Sequence, residues 1–308
     1  MIYTVTFNPS LDYVIHVMEI EPGNLHRAET EELFVGGKGI NVSAVLKELG
    51  VESTAFGFAA GFTGREIINR LNELGISSDF VSLNQGFSRI NVKIIDGRHE
   101  ETEVNGQGPA IEAEDIEALF DRLNCIEEGD FIVLSGSVPA DVPDRNNIYA
   151  RICDLLKRKK LNIIVDAEQE LLLNTLTYKP FLIKPNYYEL EQIFGRELIG
   201  EEDIIECAKA LQDKGAKNVL VSMAGQGAIL IDMNKGIIRQ KAPIGKIANS
   251  VGAGDAMIAG FIKGLLVSSL DLDYNNALKY SVATGSASAF SSGYPKLQLV
   301  EDIYRSLE

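Results

Sequence analysis

The chain has no tryptophan and only three cysteines among its 308 residues. The cysteines are odd in number and far apart, which argues against a disulfide framework and fits a reducing cytoplasm. They are Cys125, Cys153 and Cys207. The three histidines are likewise scattered, so the residues that a zinc site would need are not grouped in the sequence.

Long hydrophobic runs and an excess of positive charge are missing as well. No apolar run is long enough to cross a bilayer, and the first residues lack the basic region and cleavage site of a signal peptide. We therefore expect a cytoplasmic protein. The net charge of −15 argues against nucleic acid and anionic membranes as partners. It leaves a phosphorylated substrate open, because local cations and backbone amides decide binding once distant charges are screened.

What is present is the composition of an ordinary globular protein, with 45% hydrophobic and 24% charged residues. We find no linker or repeat and predict a single domain over residues 1–308. Short apolar strands alternate with helices, which predicts an α/β fold: a doubly wound, mostly parallel sheet with helices on both faces. The strands are expected near 2–7, 53–59, 79–83, 131–134, 163–166, 181–183 and 219–222. Helices are expected near 65–74, 113–124, 144–159, 253–268, 274–291 and 297–307.

Two segments depart from this alternation and have no helix after their strands. The first contains strand candidates at 13–17 and 32–35, and the second has strands at 89–94 and 101–105 around the turn residues Asp96 and Gly97. They could pair into one small sheet that covers a cleft. Arg89 would then reach into the cleft, although a solvent-exposed strand arginine is the alternative interpretation.

One stretch, residues 249–256, organises the rest of the chain. Gly252, Ala253 and Gly254 carry almost no side-chain bulk and precede an apolar helical segment. A helix that begins here points unpaired N–H groups and its positive dipole end at any nearby anion. Asp255 lies in the first turn, where it is either a residue that caps the helix or a base for phosphoryl transfer.

A second glycine-rich helix start lies at residues 36–43, where Lys38 and Asn41 could both reach a ligand. Tight turns use the same residues, so this pattern alone is weak. Neither a Walker A loop nor the G-x-G-x-x-G pattern of dinucleotide-binding dehydrogenases occurs. Asp12 follows the first strand, at the edge where α/β sheets place ligand groups, although a turn aspartate is the simpler interpretation.

Three motifs, taken together and in this order, resemble one family over essentially the whole chain. They are Gly-Gly-Lys-Gly-Ile-Asn at 36–41, Lys-Pro-Asn-Tyr-Tyr-Glu at 184–189 and Ser-Val-Gly-Ala-Gly-Asp at 250–255. They closely resemble the ribokinase-like carbohydrate kinases of the phosphofructokinase-B family. Segments 7–12, 89–93 and 103–109 are most similar to members that phosphorylate fructose 1-phosphate, and tagatose-6-phosphate kinases are near neighbours.

This resemblance implies transfer of phosphate from ATP to the 6-hydroxyl of fructose 1-phosphate, with Mg²⁺ as cofactor. It assigns the catalytic base to Asp255 and the anion hole to Gly252, Ala253 and Gly254. The implied sugar site consists of Asp12, Gly37, Lys38, Asn41, Arg89, Asn105 and Ser137. The implied ATP site consists of Lys184, Asn186, Ser222, Gly225, Gly227 and Gly254, and Asn186 and Glu189 would hold Mg²⁺ through water.

The resemblance also implies a β-sheet lid, built from residues of about 12–35 and 87–106, that pairs with the lid of a second subunit in a homodimer. One departure is Ala167, which follows Asp166 where the family commonly has a serine. Two alternatives remain at this point. The sugar could be tagatose 6-phosphate, or the chain could be a sugar-phosphate-binding regulator that has lost turnover.

Overall fold

A computed structural model describes residues 1–98, 100–268 and 272–307, so that His99 lies outside the described residues. A sheet of nine strands forms its centre, in the order β13-β12-β11-β10-β9-β8-β1-β4-β5. In that order the strands are Ile237–Gln240, Ala228–Ile231, Asn218–Ser222, Leu182–Ile183, Asn162–Asp166, Phe131–Ser135, Ile2–Thr6, Thr54–Ala60 and Ser77–Leu83. Seven neighbouring strands, from β11 to β5, run parallel, as the alternating pattern predicts.

The antiparallel edge of this sheet was not predicted. β12 pairs antiparallel with β11 and with β13, so the chain turns back after Ser222 as a hairpin. A tight turn at residues 232–236 joins the two added strands, and its N–H groups at Asn234 and Gly236 donate to the carboxylate of Asp232. These two strands are joined by a turn, so turn-forming residues, and not the alternation of helices and strands, would have predicted them.

Helices cover both faces of the sheet. α1, α2, α8, α9 and α10 lie on one face, and α3 to α7 lie on the other. Alternation along the strands explains this: Val133 packs under the first group of helices, whereas its neighbours Ile132 and Leu134 pack under the second. From α1 to α10 the helices are Lys38–Glu48, Gly61–Glu73, Ala113–Arg122, Ile148–Leu156, Gln169–Leu173, Tyr187–Phe194, Gly200–Asp213, Ala253–Val267, Tyr274–Ala289 and Leu297–Ser306.

The helix predicted at 144–159 is shorter than expected. Asp144 has a left-handed backbone with φ of 54°, and a single 3₁₀ turn at Arg145–Asn147 precedes α4. Among the described residues, no helix is both long and apolar enough to span a membrane.

A separate sheet of four strands lies beside the main one, in the order β3-β2-β6-β7. Its strands are Thr30–Gly36, Ser10–His16, Arg89–Ile95 and Glu101–Asn105. The prediction that the two β segments pair with each other is confirmed, with β2 and β6 parallel in the centre. Every residue of β7 is exposed, so this sheet has much less cover than the main one.

The order of the main sheet fixes where a ligand can bind. From β1 the chain passes outward to β4 and β5, and then crosses to β8 on the other side of β1. The connections that leave β1 and β8 therefore run in opposite directions along the sheet. A crevice lies between them at the carboxyl ends of these two strands, which is the usual ligand position in such sheets. Five residues follow or end strands at this edge, and Asp12 lies nearby in the chain, on β2 after the end of β1. The five are Ser137, Asp166, Lys184, Asn186 and Ser222.

Candidate active site

The start of α8 forms one wall of the crevice. Gly252 is the residue before the helix and adopts a left-handed backbone with φ of 80°, which a residue with a side chain would strain. No side chain among the described residues caps this end. The Ala253 N–H donates to the carbonyl oxygen of Ser250 at 3.3 Å, so the N–H groups of Gly254 and Asp255 are the ones left for a ligand. A helix start of this kind is a geometry that can bind an anion.

Asp255 lies in the first turn of α8 and is 5% exposed. Burial, followed by repulsion from Asp166, raises the pKa of Asp255 to about 7. Lys38, Lys184 and a 2.9 Å hydrogen bond from Asn41 Nδ2 to Asp255 Oδ2 act in the opposite direction and limit the rise. A carboxylate with a pKa near the working pH can both accept and release a proton.

Asp166 holds the two lysines of the site. Its Oδ1 lies 3.5 Å from Lys38 Nζ and 3.4 Å from Lys184 Nζ. Burial alone would raise the pKa of Asp166, but the two ammonium groups outweigh it and hold that pKa below its ordinary value. In turn, Asp166 raises the pKa of Lys38. A Cβ added at Gly254 would lie 3.1 Å from Lys184 Nζ, so this ammonium is beside the first turn of α8.

The Asn186-x-x-Glu189 pattern has a local structural role that the sequence analysis did not name. It forms a capping box at the start of α6: Glu189 N–H donates to Asn186 Oδ1, and Asn186 N–H donates to Glu189 Oε2, both at 2.8 Å. Burial raises the pKa of Glu189, because the backbone bond and the nearby lysines offset it only in part. One carboxylate oxygen remains available beyond the cap.

The carboxylate oxygens of this region could bind a cation such as Mg²⁺ only together with oxygens from water or substrate. In the part of the chain that the structure describes, no three His, Cys, Asp or Glu side chains group as a complete metal site. Magnesium keeps several waters and needs one or two protein carboxylates alongside substrate phosphates. Two carboxylates could meet this requirement. One is that of Glu189, and the other is that of Asp166, whose Oδ2 is buried and has no hydrogen-bond partner in the described part of the chain.

The four-stranded sheet carries Asp12, Arg89 and Asn105 of the predicted sugar site. Asp12 on β2 is half-buried, and Asn91 Nδ2 donates to its Oδ1 at 2.8 Å. Arg89 at the start of β6 donates from Nε to the carbonyl oxygen of Asn8 at 3.1 Å. Asn105 at the end of β7 and Ser137, which follows β8 of the main sheet, are both exposed. Gly37, the residue before α1, has φ of 120°.

The predicted nucleotide glycines have different surroundings. Gly227 has φ of 97°, and a Cβ there would collide with the carbonyl oxygen of Gln240 on β13. Close packing within the hairpin therefore explains why this residue is a glycine. Gly225 lies in an exposed 3₁₀ turn, and a Cβ there would meet open space. Ser222 ends β11 and bridges to Asn186, which places both at one edge of the crevice.

Comparison with known proteins shows the family of this chain. The profile of the pfkB family carbohydrate kinases matches residues 5–296. The chain belongs to the PfkB family of carbohydrate kinases. It is therefore a sugar kinase, and the fold class predicted from the sequence is confirmed.

Individual PfkB relatives cover nearly the whole chain. A 1-phosphofructokinase of Bacillus subtilis is 41% identical over 303 residues, covering 98% of this chain and 97% of the relative. A D-tagatose-1-phosphate kinase of Bacillus licheniformis is 39% identical over 294 residues, covering 95% and 94%. The solved structure of phosphofructokinase-2 from Escherichia coli with fructose-6-phosphate has a TM-score of 0.90 at 28% identity, covering 99% and 98%.

One side chain in this PfkB site was missed by the sequence analysis. Tyr294 follows α9, and its hydroxyl lies 3.4 Å from the carbonyl oxygen of Val35 and 3.5 Å from Asn41 Oδ1. Burial, and then the charges of Asp12 and Asp255, raise its pKa. A single tyrosine far along the chain gives no local signal, and only the fold brings it to Asn41.

Proposed function

We propose that this PfkB kinase transfers the γ-phosphoryl group of ATP to the 6-hydroxyl of fructose 1-phosphate, giving fructose 1,6-bisphosphate and ADP. One observation carries the proposal: Asp255 is buried in the first turn of α8, with a pKa of about 7, beside uncapped helix N–H groups. That combination supplies a proton acceptor and an anion site within one helical turn. The choice of fructose 1-phosphate as the substrate rests on the similarity to a 1-phosphofructokinase.

In this mechanism Asp255 takes the proton of the 6-hydroxyl as the sugar oxygen forms its bond to the γ-phosphorus. The bond from that phosphorus to the bridging oxygen breaks, and ADP leaves with the electron pair. The turn of Gly252, Ala253 and Gly254 is the proposed anion hole, in which N–H groups that are not used within the turn, such as that of Gly254, stabilise charge on the transferring group. Lys184, beside the same turn, adds a fixed positive charge.

The remaining residues bind the two substrates. On the nucleotide side, Ser222, Gly225 and Gly227 follow β11 and would contact ATP together with Lys184 and Asn186. Mg²⁺, when bound, neutralises charge on the triphosphate, and Glu189 and Asn186 would hold it through water. On the sugar side the proposed contacts are Asp12, Gly37, Lys38, Asn41, Arg89, Asn105 and Ser137.

We further propose that the four-stranded sheet acts as a lid that excludes water from the transfer and pairs with the lid of a second copy. Its outer strands β3 and β7 leave sheet edges that another chain can join. β7 is exposed at every residue, which supports this assignment. The backbone N–H of Glu103 in β7 points away from β6, because the hydrogen-bonded pairs of this ladder include Asp96 with Glu100 and Gly106 with Ile90. Sedimentation of the wild type beside Glu103→Pro would test the pairing, since loss of this edge donor predicts a shift towards monomer.

Tagatose 1-phosphate is the second candidate substrate, because a D-tagatose-1-phosphate kinase is 39% identical over 95% of the chain. Fructose and tagatose differ in the configuration of one hydroxyl. Tagatose 6-phosphate, the alternative from the sequence, carries its phosphate at the other end of the sugar. A silent regulator is disfavoured, because Asp255 and the small residues before it are intact.

An ADP-release assay would test the proposal across fructose 1-phosphate, tagatose 1-phosphate, tagatose 6-phosphate and fructose 6-phosphate. We expect the highest kcat/KM with fructose 1-phosphate, and a kcat lower by about 10²-fold or more in Asp255→Asn purified in the same way. A higher kcat/KM with tagatose 1-phosphate would replace the proposed substrate. Tight sugar-phosphate binding without ADP release would instead support the regulator.

A further inference from the structure

A buried polar cluster on the four-stranded sheet surrounds Asp12, and nothing in the site described so far requires it. β2 and β6 pair in parallel with Asp12 opposite Asn91, and Ser10 lies two residues before Asp12 on the same face. Ser10 is fully buried and Asn91 is 5% exposed, whereas Asp12 is half-buried. The cluster therefore places neutral donors behind a carboxylate that still reaches the crevice.

Both donors converge on one oxygen of Asp12. Asn91 Nδ2 donates to Asp12 Oδ1 at 2.8 Å, and Ser10 Oγ donates to the same oxygen at 2.7 Å. Asn91 Nδ2 also lies 3.1 Å from Ser10 Oγ, which ties the two donors together. Among the residues that the structure describes, none donates a hydrogen bond to Asp12 Oδ2. One oxygen is thus held by protein and the other is left for a ligand.

The neighbouring strand leaves room for this arrangement. Gly36 on β3 lies opposite Ser10, and a Cβ there would be 2.6 Å from Asp12 Oδ1 and 2.7 Å from Oδ2. Any side chain at this position would push the carboxylate out of place. The buried Oδ1 of Asn91 has no partner in the described part of the chain. A buried unpaired acceptor destabilises the fold, so the benefit of this asparagine lies in its amide donor.

We propose that Asn91 is a positioning residue that fixes the carboxylate of Asp12, so that Oδ2 accepts a hydrogen bond from one sugar hydroxyl in one direction. This inference rests on the proposed function, in which Asp12 binds the sugar. A carboxylate free to rotate accepts hydroxyls from several directions, whereas a fixed one favours a single configuration. Asn91 thereby sets how strongly the enzyme separates fructose 1-phosphate from tagatose 1-phosphate.

The test is the substitution Asn91→Asp, measured as the KM for fructose 1-phosphate at several pH values. When protonated, the introduced carboxyl donates to Asp12 as the amide does. When ionised, it repels Asp12 and donates nothing. Arg89 and Tyr294 also face Asp12, but they are the same in both proteins. We therefore express each KM as a ratio to wild type, which also cancels titration of the substrate phosphate.

We expect this KM ratio to rise about tenfold from pH 6 to pH 8.5, while the KM for ATP stays near wild type. Asn91→Ala should raise the sugar KM at all pH values and reduce the preference for fructose 1-phosphate over tagatose 1-phosphate. The matched control is Asn218→Asp, at a buried asparagine of β11 that bonds to the backbone of Phe181 and Met233. It should lower the melting temperature without making the sugar KM ratio depend on pH.

Other results would overturn the inference. A KM ratio for Asn91→Asp that is constant with pH, or an equal rise in the KM for ATP, would show that Asn91 only supports the fold. Unchanged sugar preference in Asn91→Ala would contradict its role in specificity. The wild type in the same assay tests the proposed function separately, because failure there is an absence of turnover with fructose 1-phosphate rather than an unchanged ratio.

Discussion

Two aspartates of the site, Asp255 and Asp12, are held in opposite ways. Asp255 belongs to a helix over the main sheet, is almost fully buried, and is surrounded by charged groups: Asp166, Lys38 and Lys184. Asp12 belongs to the smaller sheet, is half-buried, and is held by the neutral donors of Ser10 and Asn91. Burial and nearby charges dominate the protonation state of Asp255, with one hydrogen bond from Asn41, whereas two neutral hydrogen bonds fix the direction of the Asp12 carboxylate. The first arrangement suits a base and the second suits recognition.

Replacing Asp255, the aspartate surrounded by charged groups, should lower activity more than any other of the proposed substitutions. Asp255→Asn keeps the shape and the contact with Asn41 but cannot accept a proton. We expect kcat to fall about 10²-fold or more, because a positioned base contributes ~10²–10⁴-fold. Binding of ATP, measured by calorimetry, should stay near wild type. Turnover close to wild type would remove Asp255 from the mechanism.

Bulk in the anion-binding turn should have the next largest effect. A valine at Gly254 would place its Cβ 3.1 Å from Lys184 Nζ, displacing that ammonium and blocking the approach of phosphate. We expect Gly254→Val to lower kcat/KM about tenfold to a hundredfold while circular dichroism stays unchanged. Gly293→Val is a control, since a Cβ at Gly293 meets open space. Equal activity in the two variants would show that the turn does not hold the phosphate.

On the recognition side, Arg89→Ala should act on the sugar alone. We propose that Lys38 and Arg89 bind the phosphate already on the sugar, because a net charge of −15 offers no general attraction for an anion. The loss of one charge-assisted hydrogen bond at a half-exposed site predicts a rise of about tenfold in the KM for fructose 1-phosphate. The ratio of kcat/KM for fructose 1-phosphate to that for unphosphorylated fructose should decrease. A change in the KM for ATP instead would assign Arg89 to the nucleotide.

The smallest expected effect concerns stability. The pKa of Asp255 rises from 3.8 to about 7 on folding, so the folded state binds the proton more tightly than the unfolded state. Stability from this group is full below pH 3.8 and is lost as pH rises towards 7. Asp255→Asn does not titrate and should melt a few degrees above wild type at pH 8, with no gain near pH 4. An equal or lower melting temperature at pH 8 would contradict the raised pKa.

The sequence predicts those parts of the molecule that depend on local patterns. The small residues before α8, the glycines before α1 and the strands of the two β segments follow from neighbouring residues, and the structure has them. The pairing of the two segments was inferred because neither is followed by a helix. The antiparallel strands β12 and β13 were missed, because the apolar residues after Gly227 were not recognised as a separate strand that turns back on β11. The capping box of Asn186 and Glu189 was also readable in the sequence but was interpreted only as a metal motif.

Contacts between distant residues were beyond the reach of these patterns. Asp166 ends β9, and its two lysines come from the start of α1 and the end of β10. Tyr294 reaches Asn41 across 253 positions of sequence. Nothing in the local sequence marks these residues as neighbours, because the order of strands in the sheet brings them together. The raised pKa of Asp255 comes first from burial and then from the charge of Asp166, and both depend on the fold.

The most direct test of the central claim, that Asp255 is a base whose pKa is set by its surroundings, is the pH dependence of kcat/KM for fructose 1-phosphate in three proteins. The wild type should lose activity as pH falls through about 7. In Asp166→Asn the removal of the repelling charge should move this acid limb to lower pH. In Asn41→Ala the loss of the hydrogen bond to the carboxylate should move it to higher pH. Acid limbs that coincide in the three proteins, or that shift in the same direction in both variants, would contradict the account.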